Sequence, residues 1–282
     1  MLSPLRYPGG KVKLFPIFSR LIGENELYNR VYAEPYAGGA GLALKLLNHG
    51  FVQQIELNDA DPAIAAFWRS VIRRPNEFCR LIEGTDISVL EWRRQREIYN
   101  EGLSVGELSL GFAAYFLNRT SRSGIIEGSG PIGGYSQESQ WKIDARFNRK
   151  RQIEQIQTLS QHRDRIQISC EDAKDFLKYR LKDLSKLIYL DPPYYVKGSK
   201  LYKNFYCHDD HVDISNLLRS SREGCWILSY DAAPEIVEIY RDFSPTFYSL
   251  NYSAGSYGQG TEVIYSSDSI RLPDFGALAS AA

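Results

Sequence analysis

Cysteine, net charge and long apolar runs are all scarce in this chain of 282 residues. The four cysteines lack metal-ligand spacing, so we expect buried or free thiols in a reducing cytoplasm and no bound metal. Lys plus Arg and Asp plus Glu each total 34, and the net charge of +0 argues against a wholly basic nucleic-acid binder while allowing a local basic face. No stretch approaches the ~20 apolar residues of a membrane span, and no signal peptide opens the chain. We therefore expect a cytoplasmic protein.

Short apolar runs that end in polar or glycine-rich turns predict strands that alternate with helices. They lie at 31–33, 54–57, 166–169, 187–190 and 225–228. Such alternation indicates a parallel sheet that binds ligands at the carboxyl ends of its strands. Two later runs, at 247–252 and 262–265, flank a Gly- and Ser-rich stretch and predict an antiparallel hairpin.

These elements predict an α/β fold of the class I methyltransferase type, with a seven-stranded, mostly parallel sheet and one antiparallel C-terminal strand. The catalytic domain is predicted to be discontinuous, from residues 1–60 and 160–270. Residues 61–159 contain apolar helices, a Gly-rich stretch with a turn at Gly133-Gly134, and a basic run at 142–151. They predict an inserted, mainly helical domain, to which the family resemblance given below assigns target recognition, and 271–282 are expected to form a loose tail.

The most informative string follows the run at 187–190 and reads Asp191-Pro192-Pro193-Tyr194. The prolines fix φ and lack an N–H, so the backbone is stiff and its carbonyls are available as acceptors. Asp191 and the Pro192 carbonyl could accept both hydrogens of an exocyclic amine while Tyr194 stacks on the ring that carries it. This pattern favours an amino-methyltransferase that acts on a base. The alternative is a proline-rich turn with Tyr194 packed on the surface.

A glycine-rich turn at 34–41 lets the backbone approach a ligand closely. Glu34 at its mouth would repel a pyrophosphate but attract an ammonium or sulfonium group, which favours S-adenosylmethionine over a dinucleotide. Asp59 and Asp172 end the next two predicted strands, where they suit the ribose hydroxyls and the adenine amino group of such a cofactor. Either could instead cap the helix that follows it.

The opening segment carries Tyr7-Pro8-Gly9-Gly10-Lys11, which suits neither a helix nor a strand. Lys11 could hold the carboxylate of the cofactor and Tyr7 could lie along its methionine moiety, although a flexible leader with a turn is the alternative. The candidate cofactor-binding residues are thus Tyr7, Lys11, Glu34, Pro35, Tyr36, Gly38, Gly39, Asp59, Asp172 and Asp191.

Four of these strings, in this order, resemble the Dam-like family of DNA adenine-N6 methyltransferases. They are Arg-Tyr-Pro-Gly-Gly-Lys at 6–11, Glu-Pro-Tyr-Ala-Gly-Gly-Ala at 34–40, Asn-Asp at 58–59 and Asp-Pro-Pro-Tyr at 191–194. The segment 118–125 looks like the family's DNA-contacting segment, and 227–231 looks like its conserved strand after the catalytic turn. The resemblance extends over about residues 5–267, nearly the whole chain.

The resemblance implies methyl transfer from S-adenosylmethionine to N6 of an adenine flipped out of double-stranded DNA, with no covalent enzyme intermediate. It implies Asp191, Pro192 and Tyr194 as catalytic residues. Restriction-modification is one setting for such an enzyme. The expected DNA-binding residues are Asn118, Arg119, Ser121, Arg122, Lys150 and Arg151. The basic run that contains the last two could equally be a solvated helix face.

Three alternatives stay open at this point. The same turn would suit another exocyclic amine, such as cytosine N4 or an RNA base. A non-catalytic DNA-binding relative could keep the fold, but the intact strings at 34–41 and 191–194 argue against it. A dinucleotide-dependent oxidoreductase is disfavoured by Glu34 and by the C-terminal hairpin. The sequence sets neither the DNA recognition sequence nor the oligomeric state.

Overall fold

The computed structural model describes residues 3–6, 11–195, 206–252 and 258–275, with the side chains at 249–252 and 258–260 outside the description. Contacts within this part of the chain group the residues into two compact units. Unit 1 comprises Met1–Gly10 and Asp61–Cys170, and unit 2 comprises Lys11–Ala60 and Glu171–Ala282.

Every run that the sequence predicts as a strand forms one. The strands of the described residues are β1 (Val31–Glu34), β2 (Ile55–Asn58), β3 (Ile166–Ser169), β4 (Lys186–Leu190), β5 (Trp226–Asp231), β6 (Thr246–Tyr252) and β7 (Gly258–Ser266). Their order in the sheet is β3-β2-β1-β4-β5-β7-β6. β1 pairs in parallel with β2 and β4, and β4 with β5, whereas β7 is antiparallel to β5 and β6. The predicted mostly parallel sheet with an antiparallel C-terminal strand is confirmed.

Ten α-helices lie in the described residues, and several begin at recognisable caps. They are α1 (Phe15–Glu24), α2 (Gly41–Asn48), α3 (Pro62–Arg73), α4 (Pro75–Gly84), α5 (Val89–Glu101), α6 (Glu107–Thr120), α7 (Arg149–Ser160), α8 (Ala173–Arg180), α9 (His208–Arg219) and α10 (Pro234–Ile239). Asp61, Ser88 and Asn148 accept a first-turn N–H of α3, α5 and α7. Short 3-10 turns include Lys11–Leu14 and Arg122–Gly124.

Both faces of the sheet in unit 2 are covered, as the unbroken apolar character of its strands requires. The ring of Phe18 on α1 lies 6.3 Å from that of Tyr32 and 4.8 Å from that of Tyr189. Residues that alternate with these along the strands, such as Ile188 and Leu190, belong to a buried cluster with α8, α9 and α10. The first residues of the predicted tail are also packed, since Phe275 is 6% exposed.

An aromatic core fills unit 1. Phe67 on α3, Phe78 on α4 and Tyr115 on α6 are fully buried, and the rings of Phe67 and Tyr115 stack at 5.9 Å. The turn predicted at Gly133-Gly134 is present, with φ of 86° and 75° at the two glycines. Such positive φ values favour glycine, which explains why the pair stands there.

The remaining structural findings concern cysteines, membrane-length helices and metal sites. None of the four cysteines forms a disulfide. Among the described helices, none has both the length and the apolar character needed to cross a membrane. No group of three or more His, Cys, Asp or Glu side chains in the described ranges is arranged to hold a metal ion.

The strand order of the sheet reverses between β1 and β4. β2 and β3 follow on one side of this pair, while β5, β7 and β6 follow on the other. Because Ala33 of β1 is the register partner of Ile188 of β4, the turns that begin at Glu34 and at Asp191 leave the sheet side by side. A crevice at the carboxyl ends of such strands is where open α/β sheets bind ligands.

Candidate active site

Asp191 follows the last residue of β4 and is held from both sides. The Ser229 hydroxyl on β5 donates a hydrogen bond of 3.1 Å to Asp191 Oδ1, and Lys11 Nζ lies 3.4 Å from the same oxygen. About a quarter of the side chain, 26%, is exposed. The pKa of Asp191 is raised to about 6, because burial and the charge of Glu262 raise it more than Lys11 and the Ser229 hydrogen bond lower it. The carboxylate is therefore ionised and able to accept hydrogen bonds at neutral pH.

Lys11 and Glu262 form a buried ion pair beside Asp191. Lys11 Nζ lies 2.9 and 2.8 Å from the two carboxylate oxygens of Glu262, and the two side chains are only 4% and 2% exposed. Tyr248 on β6 also donates its hydroxyl to Glu262. Glu262 is the register partner of Asp231 on β5 and of Tyr248 on β6, so these side chains leave the same face of the sheet.

Tyr194, the last residue of the turn, is fixed by its hydroxyl. That group donates to Glu262 Oε1 at 2.8 Å and accepts from Lys11 Nζ at 3.1 Å. Its ring centroid lies 5.3 Å from the same ammonium nitrogen. The acid and the aromatic residue that the sequence predicts to hold an amine and its ring thus share one polar network.

The glycine-rich turn between β1 and α2 is joined to the end of β2. Gly38, with φ of 44°, donates its N–H to Asp59 Oδ2 at 2.8 Å. The Asn58 side chain donates to the carbonyls of Pro35 and Glu171. The alternative role of Asp59 as the cap of α3 does not occur, because Asp61 occupies that position. Pro35, Gly38 and Gly39 are buried in this turn.

The sequence predicts that Glu34 lies at the open mouth of the turn, but the structure encloses it. Its side chain accepts the Tyr32 hydroxyl at 2.9 Å and the backbone N–H of Ala43 in α2, and the residue is 6% exposed. Burial raises its pKa to about 8. The Glu34 carboxyl is thus bonded to protein groups, and its contact with a cofactor ammonium stays a prediction.

The other predicted cofactor residues have mixed surroundings. Tyr36 bonds through its hydroxyl to that of Tyr206 at 2.9 Å and packs against the buried cluster of unit 2. Asp172 is exposed and caps α8 by accepting the Lys174 N–H at 2.8 Å, which is the alternative that the sequence left open for it. Tyr7 lies outside the described residues.

Comparison with known families identifies the family of the chain. The family model for the D12 class N6 adenine-specific DNA methyltransferase matches residues 7–252, which include both turns and the strands between them. The chain belongs to this family. It is an enzyme that methylates adenine N6 in DNA, and the methyl donor of such an enzyme is S-adenosylmethionine. A search of the curated proteins found no match.

In unit 1 of this D12 methyltransferase, three predicted DNA-binding residues support the local fold. Asn118 is 1% exposed, and its amide bonds the backbone N–H and carbonyl of Arg6 and the carbonyl of Gly124. The buried Ser121 hydroxyl accepts the indole N–H of Trp92 at 3.0 Å. Arg119 donates to the carbonyls of Pro4 and Arg146. Direct DNA contact by Asn118 or Ser121 does not fit this burial.

The remaining predicted DNA-binding residues of the D12 methyltransferase lie on the surface of unit 1. Arg122, Lys150 and Arg151 are exposed. Arg149, which precedes the last two, instead bonds the carbonyls of Ile82 and Thr85 and holds α7 against the end of α4. Within the basic run, Arg149 is therefore structural, whereas Lys150 and Arg151 are exposed.

Sequence reasoning missed Glu262, Tyr248 and the bond that Ser229 makes to Asp191. A usable signal was the carboxylate of Glu262 at the start of the apolar run Val263 to Tyr265, because a charge next to buried strand positions requires a partner. The neutral His211 was missed as well. It is fully buried, its Nδ1 bonds the Tyr230 hydroxyl at 2.8 Å, and burial lowers its pKa to about 4.

Proposed function

We propose that this D12 methyltransferase flips its target adenine out of the duplex and binds it at the turn 191–194. The observation that carries the proposal is the shared network of Asp191 and Tyr194, which are joined by Lys11 at 3.4 and 3.1 Å. Unstacking and unpairing the base costs a few kcal/mol. Stacking of the base on Tyr194 would return about 1–3 kcal/mol.

Asp191 and the Pro192 carbonyl would each accept one N6 hydrogen. Two acceptors on the amine reduce the delocalisation of its lone pair into the ring and favour tetrahedral geometry at nitrogen. S-adenosylmethionine would supply an electrophilic methyl group, with its carbon–sulfur bond breaking as the N6–carbon bond forms. N6 would thereby gain a positive charge and release one proton. Asp191 is the nearest base for that proton in this arrangement.

The residues of the glycine turn fit a nucleoside cofactor in part. Gly38 is held in a left-handed conformation by Asp59, so the backbone of the turn and an acid lie together at the ends of β1 and β2. We propose Pro35, Tyr36, Gly38, Gly39 and Asp59 as the cofactor surface, with Asp172 at its edge. Lys11 serves the amine site instead of the cofactor carboxylate, because its ammonium is bonded to Glu262.

We further propose that unit 1 recognises the DNA. Arg122, Lys150 and Arg151 are the predicted cations of this unit that are exposed and able to contact phosphates or guanine edges. Asn118, Arg119 and Ser121 contribute by shaping the segment that carries Arg122, since they fix both of its flanks.

A labelling experiment tests the proposal. The protein is incubated with methyl-labelled S-adenosylmethionine and either duplex DNA or RNA, and the product is digested to nucleosides. We expect label in N6-methyldeoxyadenosine with the natural chain and a loss of at least about a hundredfold in rate with Asp191→Ala. Label in N4-methyldeoxycytidine or in a ribonucleoside, or full activity of Asp191→Ala, would contradict it.

A further inference from the structure

We propose that Glu262 is a positioning residue for methyl transfer, whose buried carboxylate holds the Lys11 ammonium and the Tyr194 hydroxyl and so limits how far Lys11 neutralises Asp191. The proposal rests on the proposed function of Asp191 as the acceptor of the N6 hydrogen. Nothing in the resemblance or in the family match assigns a role to Glu262.

Glu262 receives hydrogen bonds from three parts of unit 2. Lys11 comes from the 3-10 turn Lys11–Leu14, Tyr194 from the catalytic turn and Tyr248 from β6. With 1% of the residue exposed, an ionised carboxylate at this place needs such donors to offset its desolvation. A residue that merely completed β7 would require none of them.

The distances show that Lys11 is shared unequally between two acids. Its Nζ is 2.8 Å from Glu262 but 3.4 Å from Asp191. The cluster contains one cation, Lys11, and two acids. The shorter contact of Lys11 is with Glu262, and the longer one is with Asp191. Asp191 keeps more negative character than it would have as the sole partner of Lys11.

The groups that face Asp191 come from every neighbouring element. Lys11 lowers its pKa through its charge, Glu262 raises it, and the Ser229 hydrogen bond lowers it. Further titratable groups coupled to Asp191 are Glu34 and Tyr32 of β1, Tyr189 of β4 and Tyr248 of β6. The tyrosine pKa values are raised by burial, so these phenols stay neutral in the range where Asp191 titrates.

Removing either charge beside Asp191 should move the acid limb of the pH–kcat profile, and in opposite directions. Glu262→Gln removes a negative charge and releases Lys11 to Asp191, so the limb should move to lower pH by about one pH unit while kcat on the plateau falls about tenfold or more. Lys11→Met removes the positive charge, so the limb should move to higher pH. The KM for S-adenosylmethionine should change by less than about threefold in Glu262→Gln, because Glu262 contacts the amine site.

Charge and shape can be separated at position 262. Glu262→Asp keeps the charge but shortens the side chain, whereas Glu262→Gln keeps the shape and loses the charge. If Glu262 acts through its charge, the acid limb of Glu262→Asp should lie close to that of the natural chain. The acid limb of Glu262→Gln should lie farther from it. A purely structural role predicts that Gln is the better replacement and that no limb moves.

Glu56→Gln is the matched control. Glu56 is also a buried sheet carboxylate, 7% exposed, and is paired with Arg180 at 2.7 Å and with Lys186. Lys186 is the first residue of β4, at the end of the strand opposite to Asp191. Glu56→Gln should lower the thermal stability but leave the pH–kcat limb in place. If the acid limb of Glu56→Gln moved in the same way as the acid limb of Glu262→Gln, the proposal would be overturned.

The double variant Lys11→Met with Glu262→Gln decides the matter where a single variant fails to fold, because it removes both members of the buried Lys11–Glu262 ion pair together. Its limb should lie between those of the two single variants, with kcat reduced. A natural kcat in the double variant would refute the role of Glu262. Asp191→Asn tests the proposed function separately from the role of Glu262. Full activity of Asp191→Asn would refute the proposed function of Asp191 itself.

Discussion

The Ser229 hydroxyl donates a hydrogen bond of 3.1 Å to Asp191 Oδ1 and accepts a second one of 2.8 Å from the Tyr189 hydroxyl. A short polar chain thus crosses from β4 to β5 and returns to Asp191. Because Ser229 stabilises the ionised form of Asp191, it would keep the carboxylate available to accept a hydrogen from an amine at lower pH.

Ser229→Ala should raise the pKa of Asp191, since the lost hydrogen bond favours the charged form. Activity should fall about three- to tenfold at pH 6 and less than about twofold at pH 8, as measured by initial rates of methyl transfer. Ser215→Ala is the matched control, because Ser215 is equally buried and donates to the Ile239 carbonyl away from the turn. Equal losses at both pH values would contradict the prediction.

The natural enzyme should lose kcat/KM as the pH falls through about 6. Asp191 has a pKa of about 6 and must be ionised to accept an N6 hydrogen, so the protonated fraction grows on the acid side of that value. A pH–rate profile between pH 5 and 8 measures the limb. A flat profile across this range would show that the ionisation of Asp191 does not control the reaction.

Glu34 should make the fold less stable as the pH rises. Its pKa is raised by burial from 4.5 to about 8, so the folded state binds the proton more tightly than the unfolded one. The stabilising contribution is complete below about 4.5 and is lost as the pH rises through about 8. The Tm of Glu34→Gln minus the Tm of the natural chain should therefore be larger at pH 9 than at pH 6. Each kcal/mol of stability corresponds to about 2–4 °C in Tm. A Tm difference that does not depend on pH would contradict the assignment.

Asp59→Ala should weaken cofactor binding because it releases the Gly38 N–H and removes the acid from the end of β2. We expect the KM for S-adenosylmethionine to rise about tenfold and kcat to change less, since the contact belongs to binding rather than to the reacting amine. Asp183→Ala serves as the control, as that acid supports the turn before β4 by bonding Ser185. An unchanged KM in Asp59→Ala would remove Asp59 from the cofactor site.

Neutralising Lys150 and Arg151 should reduce the salt dependence of DNA binding. Each lost phosphate contact lowers the slope of log K against log salt by about 0.9, so the double alanine variant should lose about 1.8 if both residues bind phosphates. Binding titrations at several salt concentrations measure the slope. The matched control is Arg241→Ala, an exposed cation of unit 2 that pairs with Glu238. An unchanged slope in the double variant would place these cations away from the DNA.

The strands and both turns were predictable because each depends on neighbouring residues. The apolar run before Asp191 and the glycines after Glu34 carry their own local signals. The pairing of Lys11 with Glu262 had no local signal, since the two residues lie 251 positions apart in the sequence and meet only in the folded unit. The burial of Glu34 and Asn118 was also not predicted, because residue types that suit a ligand contact equally suit an internal hydrogen bond.

Glu262 also links distant parts of the sequence. It lies on β7, which follows all the other described strands along the chain, while Lys11 precedes all of them. The contact between these two side chains therefore depends on the folded arrangement of unit 2 and not on any single segment. A loss of the Lys11–Glu262 contact would thus report a loss of tertiary structure across the unit.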